Sequence, residues 1–94
     1  MKQIINGKLY DTDKAMLVAS NRYWDGSNWE RSGRNTFLYK TAKGSFFLHY
    51  TTQWQGEREH IEAITEVKAM DYYEQLPEHE LEYEEAFGVI AEEA

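Results

Sequence analysis

The sequence predicts a small α+β domain: an antiparallel sheet centred on a hairpin over residues 36–54, with an N-terminal helix and acidic C-terminal helices packed on it. Two runs rich in aromatic and β-branched residues flank a short polar turn, apolar residues at helical spacing precede them, and an acidic stretch with helical spacing follows. A length of 94 residues indicates one domain over residues 1–94 with a single modest core.

The N-terminal residues predict a hairpin followed by a helix. Asn6-Gly7 is the strongest two-residue hairpin signal, and it separates short apolar runs on either side. Asp11 begins a stretch that supplies an N-cap oxygen and negative charge for a helix start. The helical spacing i, i+3, i+4 then holds Ala15, Val18 and Ala19. We therefore expect a helix over residues 12–22.

The central hairpin rests on period-two alternation in both runs. Phe37 and Tyr39 alternate with Leu38 and Lys40, and Gly44 suits the positive φ that a short hairpin turn commonly needs. The second run has large apolar residues on both faces, which predicts a central strand with a helix on one face and another element or a partner on the other. Those residues are Phe46, Phe47, Leu48 and Tyr50.

The remaining elements follow the hairpin. Residues 60–64 predict a short strand, and Thr65 is a good N-cap for a helix. The apolar stripe of that helix is Val67, Met70, Tyr73 and Leu76. Pro77 ends it. Residues 78–87 fit either a strand or a helix, and we favour a helix that ends at Gly88.

The charge is unevenly distributed. Residues 1–56 carry eight Lys and Arg against four Asp and Glu, a net charge of +4, whereas residues 57–94 carry two against thirteen, a net charge of −11. The acidic half argues against direct nucleic-acid binding there and favours a partner with a basic surface. The alternative is that these carboxylates form ordinary solvated surface.

The sequence carries no recognisable catalytic, metal-binding or cofactor-binding pattern. It has no cysteine, its three histidines lack metal-ligand spacing, and its glycines are scattered singly. The serines lack a nucleophile-elbow context. We therefore expect a non-enzymatic protein without cofactor or metal. The absence of a signal-like opening and of long apolar runs predicts a cytoplasmic protein without a membrane partner.

The polar segment 20–35 interleaves tryptophans with arginines. Such mixtures occur where aromatic side chains stack on bases or anchor an interface, although the tryptophans here can equally cover the hairpin. We favour a covering role for Trp24, and we leave both readings open for Trp29. Trp29 and Trp54 are therefore weaker candidates for partner binding.

Three segments resemble a family pattern. They are residues 6–15 (NGKLYDTDKA), 38–49 (LYKTAKGSFFLH) and 61–66 (IEAITE), and together they are similar to NGKxYDTxxA…LYxTxxGxxFL…IxPLTxxEA. That pattern is typical of small proteins carried by phages, plasmids and integrative elements of Gram-positive bacteria. The chain departs from it at Ala63, where the pattern has proline. The matching residues imply a shared fold rather than a site, and some small acidic proteins of such elements are anti-defence factors, including anti-CRISPR proteins.

Two functional hypotheses follow. In the first, a non-enzymatic mobile-element protein inhibits a host defence nuclease, most plausibly a CRISPR effector, through an acidic surface that mimics nucleic acid. Its candidate contact residues are Glu57, Glu59, Glu78, Glu80, Glu82, Glu84 and Glu85. In the second, the chain is a homo-oligomeric interaction module that uses exposed aromatics of the hairpin and of the 20–35 loop. A nucleic-acid binder that uses the loop arginines is disfavoured by the net charge of −7.

Overall fold

The computed structural model describes residues 1–21, 34–52 and 56–89, and these are mostly β. Their strands are β1 (Lys2–Ile5), β2 (Lys8–Asp11), β3 (Met16–Ser20), β4 (Arg34–Lys40), β5 (Phe46–Thr52), β6 (His60–Ile64) and β7 (Glu78–His79). The helices of this part of the chain are short, α1 (Glu66–Gln75) and α2 (Tyr83–Phe87). The α+β prediction with an N-terminal helix and acidic C-terminal helices is therefore wrong.

Five strands form one antiparallel sheet in the order β6-β5-β4-β3-β7, and β1 pairs with β2 in a separate hairpin. The central hairpin is confirmed, because β4 and β5 pair along their whole length and Gly44 in their turn has a φ of 89°. The Asn-Gly turn is also confirmed: Asn6 and Gly7 have φ values of 52° and 75°, as a primed hairpin turn requires.

The helix expected over residues 12–22 is replaced by one turn and a strand. The carbonyl of Asp11 accepts hydrogen bonds from the N–H groups of Lys14 and Ala15, at 3.2 and 3.1 Å. Its carboxylate accepts from the N–H of Asp13 at 2.9 Å. Asp11 thus accepts backbone N–H groups as an N-cap residue does, but it closes a single turn and not a helix. The chain then enters β3, where cross-strand pairing with β4 outweighs weak helix propensity.

A β-bulge explains why β3 looked helical in the sequence. Leu17 pairs with Tyr39 and Ala19 pairs with Leu38, so Val18 is the extra residue. The bulge places two successive side chains, Val18 and Ala19, in the same core. It thereby breaks the alternation that identifies a strand and leaves apolar residues at helix-like spacing.

The sheet buries a core on each face. On the face that carries α1 and α2, which we call the helix face, Val18, Leu38 and Leu48 are fully buried. On the opposite face, the hairpin face, β1 and β2 cover a smaller cluster around Phe47. The Phe47 ring packs edge-on to Tyr10 at 5.5 Å and stacks on Tyr39 at 5.1 Å. Strand β5 contributes to both cores, because Phe46 and Leu48 lie in one and Phe47 in the other. Each large buried side chain contributes about 1.5–3 kcal/mol.

The C-terminal elements confirm one predicted helix and correct another. The helix after Thr65 is confirmed, although Val67 of its expected apolar stripe is 71% exposed. Residues 78–87 were expected to be one helix. They instead begin as β7, which pairs with Ala19 and Ser20 of β3, and become helical only at Tyr83. Gly88 ends α2 in the left-handed conformation, as expected, with a φ of 73°.

Both edges of the five-stranded sheet are protected against further strand pairing. At β6 the side chain of Gln3 accepts a hydrogen bond from the N–H of Ile61 at 3.2 Å. At the other edge, β7 is only two residues long and carries an exposed glutamate. Short, charged or covered edges are the usual means by which sheets avoid edge-to-edge association. No helix in the described ranges is long and apolar enough to cross a membrane.

We expect Thr65→Ala to lower the free energy of unfolding by about 1 kcal/mol. The Thr65 hydroxyl accepts the N–H of Lys68 at 3.2 Å, and alanine leaves that donor without its cap. The measurement is a urea unfolding curve, with Thr65→Ser as the control that keeps the hydroxyl. Equal stability of the alanine and serine variants would contradict this role of Thr65.

Candidate functional site

The most distinctive surface of the protein is a stretch without positive charge. Residues 69–89, which we call the acidic segment, contain seven Asp and Glu and no Lys or Arg. They span most of α1, all of β7 and α2, and the connections between them. Its carboxylates are all on exposed residues, namely Asp71, Glu74, Glu78, Glu80, Glu82, Glu84 and Glu85. This segment alone therefore carries a charge equal to the net charge of the whole protein.

Tyr73 on α1 holds the acidic segment together. Its ring stacks on the imidazole of His79 at 3.9 Å and meets Phe87 edge-on at 5.6 Å. Its hydroxyl donates to the carbonyl of Leu81 at 2.9 Å, and its own carbonyl accepts from Nε2 of His79 at 2.7 Å. One side chain thus joins α1 to β7 and α2. The helical spacing in the sequence placed Tyr73 on the core side of its helix but gave no sign of these partners.

Two of the candidate glutamates are positioned by β3. Glu78 lies in β7 opposite Ser20. The N–H groups of Glu80 and Leu81 donate to the carbonyl of Val18, at 2.8 and 3.3 Å, so the bulge in β3 also anchors the chain after β7. Backbone hydrogen bonds to β3 therefore fix the positions of Glu78 and Glu80, which carry these exposed carboxylates.

The other three glutamates of this region differ in what they do. Glu82 and Glu85 form a reciprocal capping box at the start of α2, in which the N–H of Glu82 donates to Glu85 at 3.4 Å. Both carboxylates therefore satisfy helix N–H groups. Glu84 lies in the first turn of α2 without a part in that box. Glu78, Glu80 and Glu84 are thus the residues whose charge can be removed with least effect on the fold.

Glu57 and Glu59 do not join this surface. They precede β6, at the opposite edge of the sheet from β7. Four strand spacings separate those edges, or about 19 Å. Glu57 accepts a hydrogen bond from the hydroxyl of Thr52 at 2.7 Å, and Glu59 contacts Nε2 of His49 at 2.7 Å. The structure therefore groups five of the seven predicted contact glutamates and leaves these two elsewhere.

The contact of His49 with Glu59 joins a buried imidazole on the hairpin face to a half-exposed carboxylate. His49 and Asn35 are 8% and 9% exposed, and Nδ1 of His49 and Oδ1 of Asn35 are buried without a hydrogen-bond partner. The Phe37 ring lies 5.9 Å from the imidazole. The sequence did not identify the contacts of His49, because Phe37 and Glu59 come next to it only through the pairing of β4, β5 and β6.

Three further features of the sequence are the tryptophans, the possibility of a metal site and His60. Trp29 and Trp54, together with Trp24, lie outside the described residues. Within the described ranges no group of three or more His, Asp or Glu side chains is arranged to hold a metal ion. The imidazole of His60 stacks on Tyr50 at 4.7 Å.

Comparison with known proteins does not assign the chain to a family. No family model matches the chain, no curated protein matches its sequence, and no solved structure matches its fold. Function must therefore be inferred from the surfaces described above.

We expect the stability of the protein to fall above pH 10. Burial, followed by the nearby carboxylates of Glu82 and Glu85, raises the pKa of Tyr73 above its ordinary value of 10.0. As the pH rises, the unfolded chain therefore loses this proton first, which favours unfolding. The contribution of Tyr73 to stability is therefore fully present below pH 10 and is lost as the pH rises above it.

Urea midpoints measured from neutral to strongly alkaline pH test this expectation. Burial and the hydroxyl of Tyr72 also raise the pKa of Tyr50, so both tyrosines contribute to the alkaline loss. Tyr73→Phe should make the decline shallower without abolishing it. An identical decline in the Tyr73→Phe variant would contradict the assignment to Tyr73.

Proposed function

We propose that this protein is a non-enzymatic inhibitor from a mobile genetic element that binds a host defence nuclease through the acidic segment. The observation that carries the proposal is the charge distribution, with seven carboxylates and no Lys or Arg in residues 69–89. A CRISPR effector is the target we favour. Such nucleases hold their nucleic-acid duplex in a positively charged channel. The site of action is the cytoplasm of the bacterial host.

The mechanism is competition for the nucleic-acid channel of the nuclease. The carboxylates of Glu78, Glu80 and Glu84 take positions that phosphate groups otherwise occupy. Complementary charge speeds association and makes it sensitive to salt. Tyr73 supports this role because it fixes β7 and α2 relative to α1, so the carboxylates are presented without a large ordering cost. No catalytic residue, cofactor or metal takes part.

Glu57 and Glu59 are not part of the surface we propose. Their distance from β7 and their contacts with Thr52 and His49 give them a local role at the β6 edge. They therefore serve as matched controls, since they carry the same charge as the contact residues on another part of the molecule.

The alternative, a homo-oligomer joined through hairpin aromatics, is less well supported. Phe46 and Phe47 are 3% and 0% exposed, and Tyr50 is only partly exposed, with its ring stacked on His60. Side chains already buried within one chain supply little area for a second. The protected edges of the sheet also disfavour association by strand addition.

Affinity capture from a Gram-positive bacterial lysate tests the proposal. The tagged protein is the bait, captured proteins are identified by mass spectrometry, and the experiment is run at low and at high salt. We expect a nuclease with a basic nucleic-acid channel to be retained at low salt and depleted at high salt. Recovery of the bait alone, as a dimer in gel filtration, would contradict the proposal and favour the homo-oligomer.

A further inference from the structure

A second charged feature lies on the hairpin face, where a cleft of about 660 Å³ separates β2 from the turn between β4 and β5. Its walls include Lys8, Lys14 and Lys43, with Thr41 and Ser45 beside them and Tyr10 within. The volume lies within the range of small-molecule sites, about 300–1,000 Å³. The acidic segment packs on the opposite face of the sheet, so the two features are separate.

The cleft is positively charged. Three exposed lysines line it against one acidic residue, Asp11. This carboxylate already accepts the N–H of Asp13 at 2.9 Å. The ion pairs of the described ranges are His49–Glu59 and Lys68–Glu62, so none of the three lining lysines is paired there. Three unpaired ammonium groups around one cleft attract an anion.

Each lining lysine lies in a tight turn or directly after one. Lys8 follows the Asn6-Gly7 turn, and Lys14 lies in the turn that Asp11 closes. Lys43 lies in the turn between β4 and β5, where the N–H of Gly44 donates to Thr41 at 2.9 Å. These hydrogen-bonded turns fix the backbone beneath each lysine. Less ordering is therefore needed when a ligand binds.

The cleft also offers hydroxyl groups and an apolar surface. The Thr41 hydroxyl accepts the N–H of Ser45 at 3.0 Å, which leaves its own hydrogen to donate. The apolar lining residues include Leu9, which is 53% exposed, and Tyr10, which is 8% exposed and packs edge-on against Phe47. Cationic side chains and hydroxyl donors above an apolar wall suit a ligand with phosphate groups and a less polar portion.

We propose that this cleft binds a small molecule with two or more linked phosphate groups. Three lysines on separate turns offer several cationic groups to a ligand with linked phosphates, and lysine binds phosphate as a compact point charge. A nucleoside triphosphate and inorganic triphosphate share this chemistry. The site involves no residue of the acidic segment, so its test does not require the nuclease.

Isothermal titration calorimetry with ATP, inorganic triphosphate, AMP and adenosine tests the site. We expect ATP and triphosphate to bind, AMP to bind more weakly, adenosine not to bind, and the affinity of triphosphate to fall as salt is added. Tighter binding of ATP than of triphosphate would assign the apolar wall to the nucleoside. Equal binding would assign recognition to the phosphates alone.

Single lysine variants give the matched comparison. Lys8→Gln and Lys43→Gln should each weaken triphosphate binding by about twofold to fivefold, because each removes one exposed charge. Lys68→Gln is the control, because Lys68 lies on α1 beside Glu62 at 3.6 Å, away from the cleft. Circular dichroism checks that each variant is folded. Lys43→Arg keeps the positive charge and should therefore retain triphosphate binding, which separates loss of charge from loss of folding. Absence of triphosphate binding by the wild type, or an equal loss in Lys68→Gln, would overturn the proposal.

Discussion

Tyr73→Ala is expected to lower the free energy of unfolding by about 3–5 kcal/mol, the range for truncating a buried aromatic side chain. The Tyr73 ring is 9% exposed and contacts β7 and α2 at once. Alanine removes this packing and also the hydroxyl donor to Leu81. Because a small domain is stable by only about 5–15 kcal/mol, the loss is a large part of the total.

Urea unfolding measures this loss, and hydrogen exchange locates it. Amide protection in residues 78–87 should fall more than protection in β4 and β5, because Tyr73 joins the acidic segment to α1. Tyr73→Phe keeps the ring and loses only the hydrogen bond, so it should cost about 1 kcal/mol. An alanine variant as stable as the phenylalanine variant would contradict the central packing role of Tyr73.

Replacing Glu78, Glu80 and Glu84 together by Gln should weaken binding to the nuclease about tenfold at low salt. An exposed charge pair contributes about 0.2–1 kcal/mol, so three of them give an effect of this size. The capping box of α2 uses Glu82 and Glu85 and is left intact, so the fold should be preserved. The difference from wild type should shrink at high salt, because screening weakens the interactions that these three carboxylates make in the wild type.

The matched control is Glu57→Gln together with Glu59→Gln. These residues lie at the β6 edge, about four strand spacings from β7, and their neutralisation should leave binding within about twofold of wild type. Binding is measured by surface plasmon resonance with the nuclease identified by capture. Equal losses in the triple and the double variant would indicate a general effect of net charge and would contradict a localised acidic surface.

Local chemistry made part of the fold predictable from the sequence. The Asn6-Gly7 turn, the Gly44 turn and the Thr65 cap each depend on a few adjacent residues, and all three are present. The 12–22 helix failed because the bulge at Val18 and the pairing with β4 are tertiary features. Likewise β7 exists only because Glu78 reaches Ser20, far away in the sequence.

The candidate surfaces were predictable to different extents. Composition alone located the acidic half of the chain, but it could not show that Glu57 and Glu59 lie at the far edge of the sheet. The contact between His49 and Glu59 depends on how the segment before β6 passes β5. The lysine-lined cleft is formed by two neighbouring turns within residues 6–15 and by the turn between β4 and β5, which is distant from them in sequence. Such sites arise from topology, which residue spacing does not encode.

The most direct measurement is competition between this protein and target DNA for a guide-loaded CRISPR effector nuclease purified from a Gram-positive host. Fluorescence anisotropy of a labelled target duplex reports DNA binding as the protein is added. We predict that wild-type protein displaces the duplex, that displacement weakens at high salt, and that the Glu78, Glu80 and Glu84 triple variant requires about tenfold more protein. A duplex that stays bound at saturating wild-type protein would contradict nucleic-acid mimicry.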